Sequence, residues 1–414
     1  MSPGPLPAAR VAAALLFALL LLSGCASGRH VRIRVTPGTT LPDQPLHIRV
    51  SGLHGGEVAT VRLRARDTRG RLWRSAARFR ADGSGSVDLD RQAPLSGSFR
   101  QVWGDGLLAS LSRASVGAFF VWSGSRQPSL RVEVLANGRL LASRAIRRRL
   151  PHVEQRGLVV ARAGFYGRYY APPARHPRGV PVLVFGGSEG GLSFQLLASV
   201  LALRGHPTLA LAYFNAPGLP PTLSRIPLEY FARAIRWLRD RPEAGGRRVV
   251  LIGVSRGSEA AQLLGVHYPG LVGAVVAAVP SNSAICDLPS CSGPAWTFHG
   301  RAVPYTAQFN FTQPDDNPAA VIPVERIRAP LLVVCGGRDT VWRSCAYMHA
   351  IVARRRRFGR SSRDLVFSYP DAGHFVGSLL PYVVVAPRWL NFKPADERAR
   401  EQLWPHVLLF LPRG

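Results

Sequence analysis

A change in the spacing of apolar residues near position 150 is the feature that most constrains how this chain folds. Before it, apolar and charged residues alternate one by one, as in segments 31–35 (VRIRV) and 61–65 (VRLRA). This period of two gives a strand one buried and one solvated face. Turn-forming pairs such as Asp82-Gly83 and Asn137-Gly138 separate the runs. We therefore predict an all-β, immunoglobulin-like sandwich over residues 26–150.

Residues 151–414 follow a different pattern, in which continuous apolar segments alternate with helical ones. The predicted strands cover residues 180–185, 208–213, 249–253, 271–279, 331–335 and 365–369, and the predicted helices cover residues 194–204, 228–240 and 259–266. Strands that are apolar on both faces are typical of a parallel sheet covered by helices on both sides. The pattern predicts an α/β domain, the second of two.

The first 25 residues have the pattern of an export signal. Twelve apolar residues occupy positions 11–22, which is short of the ~20 that a bilayer span needs. The ending Leu22-Ser23-Gly24-Cys25 resembles the lipobox of bacterial lipoproteins, in which the cysteine is lipidated. The alternative is an ordinary secretory signal with an incidental cysteine. Both interpretations take the protein out of the cytosol, and the first predicts a lipid anchor at Cys25 on a cell-envelope membrane.

The charge balance is strongly basic, with 53 Lys and Arg against 24 Asp and Glu. All of the basic residues except Lys393 are arginines, and they are scattered along the chain. No nucleic-acid-binding motif accompanies them, so we predict no nucleic-acid partner. The excess charge favours a weak, salt-sensitive attraction to anionic lipid.

Four cysteines follow Cys25, and three pairings of them are open. We predict a disulfide between Cys286 and Cys291, because both lie in a Pro/Ser/Gly-rich loop. Cys335 ends an apolar segment and is interpreted as a small buried hydrophobic residue. No CxxC or HExxH occurs and the histidines are dispersed, so neither a metal nor a cofactor is predicted.

Two segments match Gly-x-Ser-x-Gly: GGSEG at 186–190 and GVSRG at 253–257. A nucleophile elbow needs a strand, a strained turn that carries the serine, and a helix directly behind it. Ser255 has all three, and Gly253 and Gly257 let neighbouring backbone approach it. Ser188 precedes further glycines rather than a helix, and the adjacent Glu189 would place a carboxylate near a developing oxyanion. We therefore predict Ser255 as the nucleophile.

The glycine-rich loop at Gly187 and Ser188 has another predicted role. In α/β-hydrolases the oxyanion hole takes one backbone N–H from the residue after the nucleophile and one from an earlier loop. Arg256 supplies the first, and Gly187 or Ser188 supplies the second. A phosphate-binding loop is the alternative, but the segment lacks a P-loop lysine and the dinucleotide spacing.

An acid and a histidine that would complete a triad follow later predicted strands. Asp339 comes after segment 331–335, and His374 comes after segment 365–369. Their order along the chain, Ser then acid then His, is that of an α/β-hydrolase. Asp371 is the alternative acid, but it lies in the same loop as His374. The predicted triad is therefore Ser255, Asp339 and His374.

These segments resemble the acyl-CoA thioesterase and bile acid-CoA:amino acid N-acyltransferase (BAAT) family. The similarity rests on FGGSEGGL, LALAYFNAPGLP, LEYFARAIRWL, VIPVERIRAPLLVVCGGRDTVWRS and YPDAGHF as well as on the elbow. It implies a β-sandwich joined to an α/β-hydrolase domain, the same triad, and a tryptophan soon after the acid, here Trp342. In this family serine marks the thioesterases and cysteine the amino-acid-conjugating members, so Ser255 implies hydrolysis.

Three functions remain open at this point. The first is acyl thioester hydrolysis, which is the activity that the resemblance implies. The second is an envelope carboxylesterase or acyltransferase, because an exported enzyme would rarely meet coenzyme A. The third is a lipid-anchored binding protein without turnover. Residues 284–317, where a lid is predicted, differ most from the family and are expected to set the choice of substrate.

Overall fold

The computed structural model describes residues 30–67, 70–112, 129–148, 153–174, 179–307, 318–382 and 394–411. The predicted signal segment with Cys25 lies outside these ranges, as do residues 308–317 of the predicted lid. No helix within the described ranges is long and apolar enough to cross a membrane.

In the N-terminal β region, residues 30–148, the described residues form two sheets. Its elements are β1 (Arg32–Thr36), β2 (Thr39–Thr40), β3 (His47–Ser51), β4 (Val58–Arg66), β5 (Leu72–Arg80), β6 (Val87–Asp88), β7 (Ser96–Gly97), the short helix α1 (Gly106–Ala109), β8 (Ser129–Ala136) and β9 (Arg139–Arg148). One sheet has the order β1-β3-β6 and the other β2-β9-β8-β4-β5-β7.

The alternating sequence produces the buried face of these sheets. Along β4, Val61 and Leu63 are fully buried, while Arg62 and Arg64 remain partly exposed. Val61 lies opposite Ala77 of β5 and opposite Val134 of β8, so the apolar positions of three strands are in register. The apolar residues of both sheets form one hydrophobic core.

The remaining elements belong to an α/β region. Its strands are β10 (Gln155–Leu158), β11 (Tyr166–Tyr170), β12 (Val182–Phe185), β13 (Thr208–Ala212), β14 (Ile226–Pro227), β15 (Val249–Val254), β16 (Val272–Ala278), β17 (Trp296–Phe298), β18 (Arg301–Ala302), β19 (Leu331–Gly336) and β20 (Leu365–Tyr369). Its helices are α2 (Val160–Ala163), α3 (Gln195–Leu203), α4 (Leu228–Arg239), α5 (Arg256–His267), α6 (Ser344–Arg357) and α7 (Pro394–Phe410). Two 3-10 turns, Val324–Arg326 and His374–Ser378, complete the region.

Eight of these strands form one sheet with the order β10-β11-β13-β12-β15-β16-β19-β20. The strands from β13 to β20 in this order pair in parallel, as predicted. Two further strands at one edge, β10 and β11, were not predicted, and they pair antiparallel. Both precede the first long helix, so no crossover connection forces them to run parallel. An eight-stranded sheet of this kind, with helices on both faces, is the predicted α/β-hydrolase arrangement.

Side chains that alternate along each buried strand supply cores to both faces of the sheet. Leu183 and Phe185 of β12 pack with α4, α5 and α6, while Val182 and Val184 pack with α3 and α7. Because both faces are covered, β12, β13, β15 and β19 are buried at every position. The carboxyl ends of the parallel strands therefore meet at one edge, where the loops after β12, β15, β19 and β20 come together.

Candidate active site

Ser255 stands at the junction of β15 and α5. Its backbone has φ 55° and ψ −124°, a conformation that L-residues rarely adopt. Its N–H donates to the carbonyl of Ala278 at 3.0 Å, and its own carbonyl accepts from the N–H of Ser258 at 2.8 Å. Such strain persists only where the surroundings fix it, and it is the geometry of a nucleophile elbow. The side chain is therefore held at the carboxyl edge of the sheet.

The two predicted elbow glycines lie where backbone approaches backbone. A Cβ atom on Gly253 would lie 2.3 Å from the carbonyl oxygen of Gly257. A Cβ on Gly257 would lie 2.2 Å from the carbonyl oxygen of Gly186. Any larger residue at either position would push the elbow away from the sheet or from the glycine-rich loop.

The glycine-rich loop lies directly against Ser255. A Cβ on Gly187 would be 2.8 Å from the Cβ of Ser255 and 3.3 Å from the backbone nitrogen of Arg256. The loop and the amide of Arg256 thus flank one point beside Ser255, which is the arrangement an oxyanion hole needs. The rival serine, Ser188, is exposed in this loop and is not followed directly by a helix.

Two side chains that the sequence did not assign fix the shape of this loop. The Tyr213 hydroxyl donates to the carbonyl oxygens of Gly186 and Gly187, at 2.9 and 3.1 Å. Burial raises the pKa of Tyr213 well above its ordinary value, so this phenol remains a donor. The N–H of Gly187 donates to Glu189 Oε2 at 3.0 Å. One predicted oxyanion-hole donor is therefore engaged by a carboxylate in this structure.

Asp339 and His374, which lie 35 positions apart, are in direct contact. Asp339 Oδ2 lies 2.8 Å from His374 Nδ1, and the two side chains are 1% and 12% exposed. The other oxygen, Oδ1, accepts from the N–H groups of Val341 and Trp342, at 2.9 and 3.3 Å. A carboxylate on Nδ1 selects the tautomer whose Nε2 accepts a proton from a serine hydroxyl.

Asp371, the alternative acid, does not share this arrangement. Its side chain is 76% exposed and lies 3.1 Å from Arg338 Nη2. The structure thus brings Asp339 to His374 and leaves Asp371 in a solvated ion pair.

Trp342 forms one wall beside the histidine. Its ring meets the ring of His374 edge-on, with centroids 5.8 Å apart and an interplanar angle of 77°. Its indole N–H donates to the carbonyl of Val279 at 3.1 Å, which fixes the ring. The tryptophan is 3% exposed, so it removes water from one side of the imidazole.

Behind the elbow lies a buried ion pair that the sequence does not predict, because arginine and glutamate normally face water. Arg256 Nε lies 2.7 Å from Glu259 Oε1. Arg256 Nη2 donates to the carbonyls of Ile285 and Cys286, both at 2.9 Å, while Glu259 Oε2 accepts from the Ile285 N–H and the Trp296 indole. Burial raises the pKa of Glu259, and the Arg256 charge opposes that rise. The pair ties α5 to the start of the predicted lid.

The four described cysteines form two disulfides. Cys286 is bonded to Cys291 within the loop that Arg256 holds. Cys335, interpreted above as a small buried hydrophobic residue, is instead bonded to Cys345. That bond links the end of β19 to the start of α6, on either side of the loop that carries Asp339. Among the described residues, no cluster of His, Cys, Asp or Glu could hold a metal ion.

Comparison with known proteins gives two family matches. Residues 43–159 match the acyl-CoA thioester hydrolase/BAAT N-terminal region, and residues 226–391 match the BAAT/acyl-CoA thioester hydrolase C-terminal region. Human acyl-coenzyme A thioesterase 1 is 32% identical over 360 residues, which cover 81% of this chain and 82% of that protein. Human mitochondrial acyl-coenzyme A thioesterase 2 is 31% identical and covers 81% of this chain and 72% of that one.

Among solved structures, a putative dienelactone hydrolase from Klebsiella pneumoniae aligns with a TM-score of 0.43 and 16% identity. It covers 63% of this chain and 98% of that one.

Proposed function

Because the chain belongs to the acyl-CoA thioester hydrolase/BAAT family, we propose that it is a serine hydrolase that cleaves acyl thioesters through a Ser255–His374–Asp339 triad. The observation that carries this proposal is the 2.8 Å contact between the buried Asp339 carboxylate and His374 Nδ1. This contact lies at the same edge of the sheet as Ser255, whose backbone conformation is strained.

The proposed reaction has two stages. His374 takes the proton of the Ser255 hydroxyl as its oxygen attacks the acyl carbonyl, and Asp339 stabilises the imidazolium. The oxyanion is held by the N–H of Arg256 and by a backbone N–H at Gly187 or Ser188. His374 then protonates the leaving thiol, which leaves an acyl-serine ester. Water, deprotonated by His374, attacks that ester and releases the carboxylic acid and free Ser255.

The buried ion pair behind the elbow supports this assignment. One donor of the proposed oxyanion hole is the backbone N–H of Arg256. The Arg256 side chain is fixed by Glu259 and by two carbonyls, so its peptide N–H has a defined direction. A preorganised donor of this kind is worth about 10²–10³ in kcat.

The test is hydrolysis of a panel of acyl-CoAs and p-nitrophenyl esters by the purified mature protein and by Ser255→Ala. We expect acyl-CoA hydrolysis with a preferred chain length, and none by the variant. Covalent labelling by a fluorophosphonate at Ser255 should accompany it. A protein that binds acyl-CoA without turnover and does not label would be a non-catalytic binding protein, contrary to this proposal.

A carboxylesterase or acyltransferase of the cell envelope is the second candidate. It is favoured by the predicted export signal, since coenzyme A is a cytosolic cofactor. The two disulfides support an oxidising compartment. Turnover of oxygen esters without turnover of acyl-CoA of the same chain length would select this candidate.

We also propose that the protein is anchored to a cell-envelope membrane through a lipid on Cys25, and that its N-terminal β region is an immunoglobulin-like sandwich. The support for the anchor is the segment Leu22-Ser23-Gly24-Cys25 behind an apolar stretch. Membrane fractionation of the full chain tests it, because Cys25→Ala should release the protein from the membrane. The support for the sandwich is a single core shared by two sheets.

A further inference from the structure

Side chains of α7 form hydrogen bonds to the turn that carries His374. The N–H of Gly373, directly before the histidine, donates to Asp396 Oδ1 at 2.5 Å. The carbonyl of Phe375, directly after it, accepts from Arg400 Nη1 at 3.0 Å. Arg400 Nη1 also donates to the hydroxyl of Ser378 at 2.7 Å. The residues directly before and after His374 are thus both bonded, through their backbone, to side chains of one helix.

These side chains are ionisable and inaccessible to water. Asp396 and Arg400 are fully buried, and Glu397, which pairs with Arg400, is 1% exposed. Glu397 also accepts the N–H of Tyr382, which follows the histidine turn. Buried ion pairs contribute little net stability compared with well-packed apolar residues, because removing two charges from water is costly. Stability alone therefore does not account for this cluster.

Other side chains of α7 contact the N-terminal β region. The Trp103 indole N–H donates to Glu401 at 3.0 Å, and the Arg398 guanidinium lies 4.7 Å from the Trp103 ring centre. The Trp404 indole N–H donates to Asp43 Oδ2 at 3.1 Å. The helix is held between the N-terminal β region on one side and the histidine turn on the other.

We propose that Asp396 and Arg400 are positioning residues for His374. They hold the histidine turn from α7, so that His374 Nδ1 stays against the Asp339 carboxylate. Neither touches the substrate, and both act through the peptides at Gly373 and Phe375. The inference rests on the proposed triad, since it assigns a function to the support of that histidine.

The test compares two carboxylates of the same helix in the full protein. Asp396→Ala removes the acceptor of the Gly373 N–H, while Glu401→Ala removes the acceptor of the Trp103 indole and leaves the histidine turn untouched. A displacement of about 1 Å in a catalytic group costs on the order of 100-fold in rate. We expect Asp396→Ala to lower kcat by that factor with KM unchanged, and Glu401→Ala to leave kcat near wild type.

The conservative variant separates positioning from folding. Asp396→Asn keeps an acceptor oxygen for the Gly373 N–H and is expected to retain kcat within a few-fold of wild type. If Asp396→Asn is as impaired as Asp396→Ala, or if Glu401→Ala lowers kcat as much as Asp396→Ala, the positioning role is wrong.

A spectroscopic readout keeps the proposal testable if no substrate is found. The proton shared by His374 Nδ1 and Asp339 should give a far-downfield proton NMR signal that His374→Ala abolishes. We expect Asp396→Ala to broaden or remove this signal and Glu401→Ala to preserve it. A signal unchanged in Asp396→Ala would overturn the inference even in an inactive protein. Absence of turnover with an Asp396-dependent signal would refute only the proposed reaction.

Discussion

The two sides of the candidate active site are held in different ways. The nucleophile side is formed by β15, Ser255 and α5. Here the position of the serine is set by the backbone at a strand-to-helix junction. The ion pair behind it joins residues only three positions apart. On the histidine side, formed by Asp339, the turn His374–Ser378 and α7, the support comes from side chains. The helix that provides it contacts Trp103, which lies 298 positions from Glu401.

This difference indicates whether substitutions on each side should first lower stability or activity. The elbow is part of the continuous core of the sheet, so damage on the nucleophile side should first lower stability. The turn His374–Ser378 is bonded to the buried side chain of Arg400 in α7, so we expect damage on the histidine side to lower activity first. The following variants test that contrast.

The largest effect is expected on the histidine side, at Asp339. Asp339→Asn keeps the size of the side chain but favours the wrong imidazole tautomer, and such a change lowers kcat by about 10⁴. The melting temperature should change little. Asp371→Asn is the matched control, because its exposed pair with Arg338 is worth at most about 1 kcal/mol. Measurement of kcat for both variants checks the choice of acid, and a large loss in Asp371→Asn would contradict it.

On the nucleophile side, Glu259→Ala should mainly reduce stability. It leaves the Arg256 charge buried without its carboxylate, and breaking such a pair costs about 3–5 kcal/mol. Urea unfolding measures this loss. Replacing both partners, with Arg256→Met and Glu259→Leu together, should recover much of the stability because no unpaired charge remains. A single variant as stable as wild type would show that the pair does not secure the elbow.

The sequence was informative where function depends on local order along the chain. The strand Val249–Val254, the turn at Ser255 and the helix after it are contiguous, so their pattern predicts an elbow directly. The positions of Asp339 and His374 after two later strands were predicted on the same principle, because parallel strands end at one edge. The predicted strand at 365–369 coincides with β20.

The sequence was less informative where structure depends on partners distant in the chain. The spacing of apolar residues indicates that a residue is buried but not which residue it contacts. It therefore predicts neither the disulfide between Cys335 and Cys345 nor the antiparallel strands β10 and β11. The charged residues of α7 gave no signal either. Asp396 and Arg400 are residue types that normally face water, and only tertiary contacts bury them.

The stability of the contact between the histidine side and the N-terminal β region should depend on pH. Burial raises the pKa of Asp105 from 3.8 to about 7 and that of Glu401 from 4.5 to about 8. Both acids hold protons more tightly in the folded state, so their contribution to stability is present below about pH 4 and is lost as pH rises to about 8.

Melting temperatures measured from pH 5 to pH 8.5 check this direction. The wild-type protein should lose stability across that range, and a double variant with Asp105→Asn and Glu401→Gln should lose less. The amides imitate the protonated acids and do not ionise. An equal decline in both proteins would assign the pH dependence to other groups.

The smallest expected effect concerns Glu189 on the nucleophile side. Its carboxylate accepts the Gly187 N–H at 3.0 Å, next to the point where the oxyanion would form. A negative charge there opposes the developing charge, and the bond withholds a donor. Glu189→Ala should therefore raise kcat by about fivefold, equivalent to the ~1 kcal/mol of one hydrogen bond. Glu189→Gln removes the charge but keeps the acceptor, so an intermediate rate would divide the effect between charge and donor. A fall in kcat for both variants would instead mean that Glu189 maintains the shape of the glycine-rich loop. The nucleophile side would then depend on a side chain as well as on its backbone, as the histidine side does.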